Sequence, residues 1–279
     1  MNLKNCKELI PKYIKISTLN WKTICYNVIN EGNLLIKGDS GSGKTKVVLS
    51  LKEVFPDRPF FLINLGSTQD PQTTLIGKTH YNNKEGTFFG SSYFIKACQT
   101  ENAIIVLDEL TRSHKEAWNI IMSALDPNQR YIRIDDEIDT PTIKIAKGVC
   151  FIATANIGKK FTATNILDFA VEERFDYFEM DILKKEEEYD LQVFTFPNIK
   201  TKIIKDIVDI AIMTRDKYFD KEHDLNQYIT TKQVYKFLKK YQTGAFTFLE
   251  CTKIQIFNRI KNDDDLNFIK QIFNKYEYK

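Results

Sequence analysis

The sequence predicts an α/β fold: a five-stranded parallel sheet with helices on its faces and β-hairpin inserts, followed by an all-helical C-terminal part. Over the first two thirds of the chain, short apolar runs alternate with helix-like stretches, the pattern of a parallel sheet. After residue 183 no convincing strand run remains, and apolar residues recur at helical spacing. Between the first apolar run and the first helix lies a glycine-rich turn, and the functional reading starts there.

In chain order, the first strand is expected at Leu34 to Lys37 and the first helix at Thr45 to Phe55. Further strands are expected at Phe60 to Asn64, Ala103 to Leu107, Val149 to Ala153 and Tyr177 to Ile182, with a helix at His114 to Leu125. Each strand run is apolar and bounded by polar or turn residues, as buried parallel strands are. Two inserts interrupt the alternation. His80 to Gly90 places polar turn residues between short strand-like pieces, and Tyr131 to Ile145 sets Ile132/Ile134 and Ile143/Ile145 at period two around an acidic turn. Each reads as a hairpin projecting from the sheet, as surface decoration or as a contact to substrate.

In the tail, Ile203, Ile204, Ile207, Ile210 and Ala211 share one helix face, as do Val234, Phe237, Leu238 and Tyr241. Three or four amphipathic helices are expected, which divides the chain into an α/β domain at 1–183 and a helical domain at 184–279. The acidic run Glu186-Glu187-Glu188 reads as a solvated helix face.

Composition narrows the functional classes. The 279 residues are 43% hydrophobic and 28% charged, the balance of an ordinary globular protein with a substantial core. Forty basic against 37 acidic residues give a net charge of +3, no case for nucleic acid or anionic membrane as the main partner. Five dispersed cysteines without a C-x-x-C pair fit a reducing, cytoplasmic interior. Lysines scattered through the first twenty residues leave no signal-peptide core, and no apolar stretch is long enough to span a membrane. His80, His114 and His223 lack metal-ligand spacing, and no second nucleophile arrangement appears.

The glycine-rich turn reads Gly38-Asp39-Ser40-Gly41-Ser42-Gly43-Lys44-Thr45, a complete G-x-x-x-x-G-K-[ST] between a strand and a helix. Glycines let the backbone curl so that its N–H groups face phosphate oxygens, and the helix adds its positive dipole end. Lys44 can then reach the β- and γ-phosphates, and the Thr45 hydroxyl can bind Mg²⁺. Ala103 to Leu107 runs into Asp108-Glu109, the Walker B pattern, in which Asp108 serves the metal and Glu109 polarises water. The next apolar strand terminates in Asn156, whose amide either orients the lytic water or caps the strand. These motifs together indicate a P-loop NTPase using a nucleoside triphosphate and Mg²⁺.

As a set, GDSGSGKT, IIVLDELTRS and FIATANIGKKFTATNILDFAVEERFD resemble the AAA+ ATPases of the MoxR-like and dynein-related branch. That branch includes the CbbQ/NorQ activators, cobalt-chelatase ATPase subunits and McrB-type restriction modules. Asp108 to Ser113 is similar to its D-E-x-x-R-[AS] stretch, Leu167 to Asp176 to its L-x-x-A-x-x-x-R-F-D segment, and DPQTTLIG to its D-P-x-x-x-L-I-G. The resemblance covers most of residues 30 to 183 and is weak over the tail. It implies a nucleotide-binding domain with a helical lid, working as a ring, usually of six, with ATP between subunits.

By the same resemblance Arg174 matches the arginine that completes a neighbour's site; the alternative is a surface pairing with Glu172 or Glu173. Arg112 matches the arginine of the D-E-x-x-R pattern, in the site or in packing. The sequence also departs from the family: Lys232, in Thr230-Thr231-Lys232-Gln233, stands where the lid usually offers a sensor arginine and lacks its planar fork. Ala163 stands where related sequences often have glycine. The leading expectation is an ATPase that remodels or activates a separate protein client. The alternatives are a nucleic-acid motor or restriction-type NTPase subunit, and a nucleotide-dependent scaffold.

Overall fold

Apolar runs rich in Ile, Leu and Val pair side by side as one parallel sheet in a computed structural model that describes residues 3–67, 70–82, 86–134, 142–156, 167–220 and 225–276. The elements are α1 (Thr18–Ile29), β1 (Asn33–Gly38), α2 (Lys44–Val54), β2 (Phe60–Asn64), α3 (Pro71–Leu75), β3 (Gly77–Asn82), β4 (Gly86–Ser91) and α4 (Tyr93–Cys98). Then come β5 (Ile104–Asp108), α5 (Lys115–Leu125), β6 (Tyr131–Arg133), β7 (Thr142–Lys144), β8 (Cys150–Asn156), α6 (Phe169–Glu172) and β9 (Asp176–Met180). The tail forms α7 (Lys185–Thr195), α8 (Thr201–Phe219), α9 (Thr231–Tyr241), α10 (Phe248–Gln255) and α11 (Asp263–Asn274). The chain divides into two compact units: Met1–Pro11, Ile16–Asp39 and Gly43–Asp181 in one, Lys12–Lys15, Ser40–Ser42 and Ile182–Lys279 in the other.

Within the first unit the strand order is β2-β5-β8-β1-β9, all parallel. Every residue of β5 and all but the last of β8 are buried, which is why these central strands read as unbroken apolar runs. Arg58 bridges three backbone carbonyls at the N-terminal edge of the sheet: Nε donates to Asn102 O at 2.8 Å, and its two terminal nitrogens donate to Val28 O and Gly148 O. One guanidinium thus ties the last turn of α1 to the residues just before β5 and β8. Before the sheet, Ser17 caps α1, and Trp21, Ile24, Cys25 and Val28 bury one face of it. That i, i+3, i+4, i+7 spacing is readable in the sequence but was absent from the strand-centred expectation.

Both inserts form two-stranded antiparallel sheets, β3–β4 and β6–β7. The second is anchored rather than projecting freely: Ile132 pairs with Ile143, and both join Ile134 in the core of the unit. Its acidic turn, like Ala163, His223 and the stretch after Asn156, lies outside the described residues.

The tail forms five α-helices among the described residues, not three or four. The additional ones are the short α10 and the 12-residue α11, whose opening Asp263-Asp264-Asp265 hides a helix start: Asn262 caps it, and the acids favour the positive end of the dipole. Ile204, Ile207, Val234, Phe237, Phe248 and Ile272 meet in one apolar core. Glu188 corrects the expectation of a solvated acidic run. Glu186 and Glu187 are exposed, but Glu188 is 0% exposed and paired with Arg215 of α8, itself 3% exposed. Arg215 also donates to Ile229 O at 2.9 Å, and Thr231 Oγ1 donates to Glu188 Oε2 at 3.2 Å. No described helix is long and apolar enough to cross a membrane.

Candidate nucleotide site

Parallel register gathers the candidate residues at the C-terminal edge of the sheet, where open α/β sheets bind ligands. Gly38, the last residue of β1, lies opposite Asn156 of β8; Leu107 lies opposite Ala153, which brings Asp108 level with Thr154. From Gly38 the chain turns through Asp39 to Gly43 and enters α2 at Lys44. Gly41 and Gly43 hold φ of 90° and 96°, the left-handed region that other residues resist. Gly43 is the N-cap of α2 and has no side chain to cap it, at the helix end whose dipole favours anions.

Lys44 is 6% exposed, and its Nζ donates to Gly38 O and Asp39 O, each at 2.8 Å. Burial pushes its pKa down to about 8, against the opposing pull of Asp39, Asp108 and Glu109. Asp39 is raised by burial, with Lys44 opposing and Glu179 adding to the rise. At about 8 the ammonium is still mostly charged at neutral pH, and an anion bound beside it would raise that value again. Thr45 Oγ1 donates to Asp108 Oδ1 at 3.4 Å, a long contact that brings together a hydroxyl and a carboxylate. These are the hard oxygen ligands that Mg²⁺ takes beside phosphate oxygens, without a dedicated protein cage. No cluster of three or more His, Cys, Asp or Glu able to hold a metal occurs among the described residues.

Asp108 and Glu109 are neighbours in sequence but sit in different surroundings. Asp108 is 9% exposed and receives a hydrogen bond from Thr154 Oγ1 at 2.5 Å. Glu109 has φ 59° and ψ 42°, a left-handed conformation, and its N–H donates to Thr154 Oγ1 at 3.1 Å. Arg112 Nη1 lies 3.3 and 3.4 Å from the two Glu109 carboxylate oxygens, an ion pair between residues three apart. Gly66 leaves the room: a Cβ there would fall 2.3 Å from Glu109 Oε2 and 3.3 Å from Arg112 Cβ.

Arg174 pairs with Asp126 at 3.7 Å and donates to Ala170 O, while its buried Nε has no partner among the described residues. Neither Glu172 nor Glu173 is its partner in these contacts; Glu172 pairs with Lys37 at 2.9 Å. Lys232 lies exposed in the first turn of α9, after Thr230, whose hydroxyl and Gln233 form a capping box. Sequence reasoning missed Thr154, Gly66 and Asp126. For Thr154 a signal existed: a lone hydroxyl in an apolar strand, two residues before Asn156 and so on the same face.

Residues 33–175 match the family described as AAA domain (dynein-related subfamily). A Thauera aromatica protein named "Putative chaperone BssE" is 32% identical over 157 residues, 56% of this chain and 52% of that protein. An uncharacterized Staphylococcus saprophyticus protein is 30% identical over 198 residues, covering 68% of this chain and 72% of the relative. An uncharacterized Staphylococcus aureus protein is 32% identical over 160 residues, covering 54% and 58%. The chain thus spans about half the length of the Thauera relative. The family match takes in the phosphate loop, the Asp108-Glu109 strand end, Asn156 and Arg174, and the chain belongs to the AAA domain family, dynein-related subfamily, the family of AAA-type ATPases.

Proposed function

We propose that the chain is a Mg²⁺-dependent ATPase subunit of MoxR-like type that works as a ring, most simply of six, and remodels or activates a separate protein. The observation that carries the reading is the register that brings Gly38, Asp108 and Asn156 to one edge of adjacent strands, with Lys44 and Thr45 directly beyond.

Each residue then has a role. The loop from Gly38 through Asp39, Ser40, Gly41, Ser42 and Gly43 wraps the phosphates, and Lys44 binds the β- and γ-phosphates. Thr45 and Asp108 hold the magnesium, which supplies charge neutralisation on the phosphate oxygens. Glu109 takes a proton from the attacking water, and Asn156 orients that water. Arg174, kept in place by Asp126 and Ala170, is the donor to a neighbouring subunit's γ-phosphate, where it stabilises transition-state charge. Lys232 supplies a positive charge at the start of α9, a weaker form of a sensor arginine. The domain division is 1–183 for the nucleotide domain and 184–279 for the lid.

Two observations favour a protein client over nucleic acid. Basic and acidic residues nearly balance, 40 against 37, which gives no excess of charge for tracking phosphates. A relative at 32% identity also carries a chaperone name. Five buried thiols fit a reducing, cytoplasmic setting.

Glu109→Gln tests this reading. Turnover should fall by about 10²–10⁴-fold, while ATP affinity stays within about threefold. ATP-loaded Glu109→Gln protein should run as a ring in light scattering and retain a client protein in pull-downs. ATPase stimulation by DNA or RNA alone would replace the protein remodeller with a nucleic-acid motor.

A further inference from the structure

Inside the buried run of β8, Cys150-Phe151-Ile152-Ala153-Thr154-Ala155-Asn156, Thr154 is 1% exposed, so its hydroxyl must find partners within the protein. It finds two, on successive residues: Oγ1 donates to Asp108 Oδ1 at 2.5 Å and accepts from the Glu109 N–H at 3.1 Å. A hydroxyl carries one proton and two lone pairs, so the arrangement is directional: the proton goes to the carboxylate and a lone pair to the amide. The amide end supports a glutamate at φ 59°, a conformation that costs energy in a non-glycine residue. The carboxylate end occupies Oδ1, to which Thr45 also points, and leaves Oδ2 outside these hydrogen bonds.

We propose that Thr154 is a positioning residue of the hydrolytic site: one buried hydroxyl sets both the carboxylate that faces the metal and the backbone turn from which Glu109 projects. The proposal rests on the roles given above to Asp108 and Glu109. Buried at 1% exposure, Thr154 acts through its two neighbours. Its effect is therefore expected in the metal dependence of binding and in the chemical step, with little change in the phosphate loop's own affinity.

Thr154→Val keeps the shape and removes the hydroxyl; Thr154→Ser and Thr154→Ala differ from each other only in the hydroxyl, and decide the matter if valine impairs folding. Affinity for a fluorescent ATP analogue is measured with Mg²⁺ and with EDTA, beside kcat and KM. For Val and Ala, affinity in EDTA should stay within about twofold of wild type, while the gain on adding Mg²⁺ shrinks about tenfold, as for loss of a hydrogen bond to a charged group. Their kcat should fall by about 10²-fold with KM changing far less, the signature of a misplaced catalytic group. Ser should return both readouts to within about threefold of wild type.

A Val or Ala variant with the full Mg²⁺ gain and normal kcat overturns the proposal. So does a Ser variant as impaired as Ala, which would make the methyl group and its packing the cause. The binding measurement needs no turnover, so it separates this proposal from the assignment of the base: hydrolysis surviving Glu109→Gln would remove Glu109 as base and leave the Mg²⁺ linkage of Thr154 to be judged by binding alone.

Discussion

Lys44 in the α/β unit and the Glu188–Arg215 pair in the helical unit are charges taken out of water, and the chain handles them differently. Arg215 is met by a carboxylate, the Ile229 carbonyl and the Thr231 hydroxyl, and Glu188 by Arg215 and Thr231. Lys44 rests on the carbonyls of its own loop, and burial outweighs nearby acids enough to pull its pKa to about 8. A charge neutralised by a buried partner is structural. A charge whose protonation still depends on its surroundings is placed to respond to a ligand. The same contrast recurs at smaller scale between Asp108, fixed by Thr154, and Glu109, held at the surface by Arg112.

The largest expected effect tests the structural side. Glu188→Ala should destabilise the full-length protein by about 3–5 kcal/mol, because it strands Arg215 in the core, whereas replacing Glu188 and Arg215 together by methionine should cost far less. Denaturant midpoints of the three proteins decide it; equal losses in the single and double variants would mean that packing, not charge, holds the site.

Next comes Lys44. Its folded pKa of about 8 lies below its ordinary value of 10.5, so between these values the unfolded chain binds more protons than the folded one. In the nucleotide-free protein the Lys44 contribution to stability should therefore grow as pH rises through that window, by roughly 3 kcal/mol. Lys46, lowered by burial, and the buried thiols, raised by it, add slopes of their own to both proteins, so the Lys44 contribution is the difference in slope between wild type and Lys44→Met across the window. Binding of a triphosphate restores the charge, so it should be accompanied by proton uptake in calorimetry near pH 8, absent if the two slopes coincide. The smallest effect concerns the start of α9: Thr230→Ala removes the capping box around Lys232 and should cost about 1 kcal/mol. A change within measurement error would show that tertiary contacts, not the cap, hold that helix end.

Local chemistry made much of the molecule readable without coordinates. Phe60 to Asn64 is a strand as expected, and the ends of the other four strands of the sheet moved by only a few residues. A buried parallel strand must be apolar along its length, and that requirement is written in consecutive residues. The inserts were less clear, because their period-two pattern is the same whether the inward face meets solvent or, as for Ile132 and Ile143, the core. The short α10 and the acidic opening of α11 are hard to read in the sequence because polar residues dilute the apolar spacing there.

Sequence alone determined that the chain has a phosphate loop, a strand ending in two carboxylates and a strand ending in Asn156, since each is a motif of neighbouring residues whose spacing is its chemistry. Tertiary structure decided which of those groups is buried, paired or held in place. Thr154 meets Asp108 across 46 positions of chain, Arg215 meets Glu188 across 27, and Arg174 turns to Asp126 instead of its adjacent glutamates. Such contacts depend on strand register and helix packing, which bring distant residues within hydrogen-bond range. Whether a charge or hydroxyl is worth anything depends on the water that packing removes from around it.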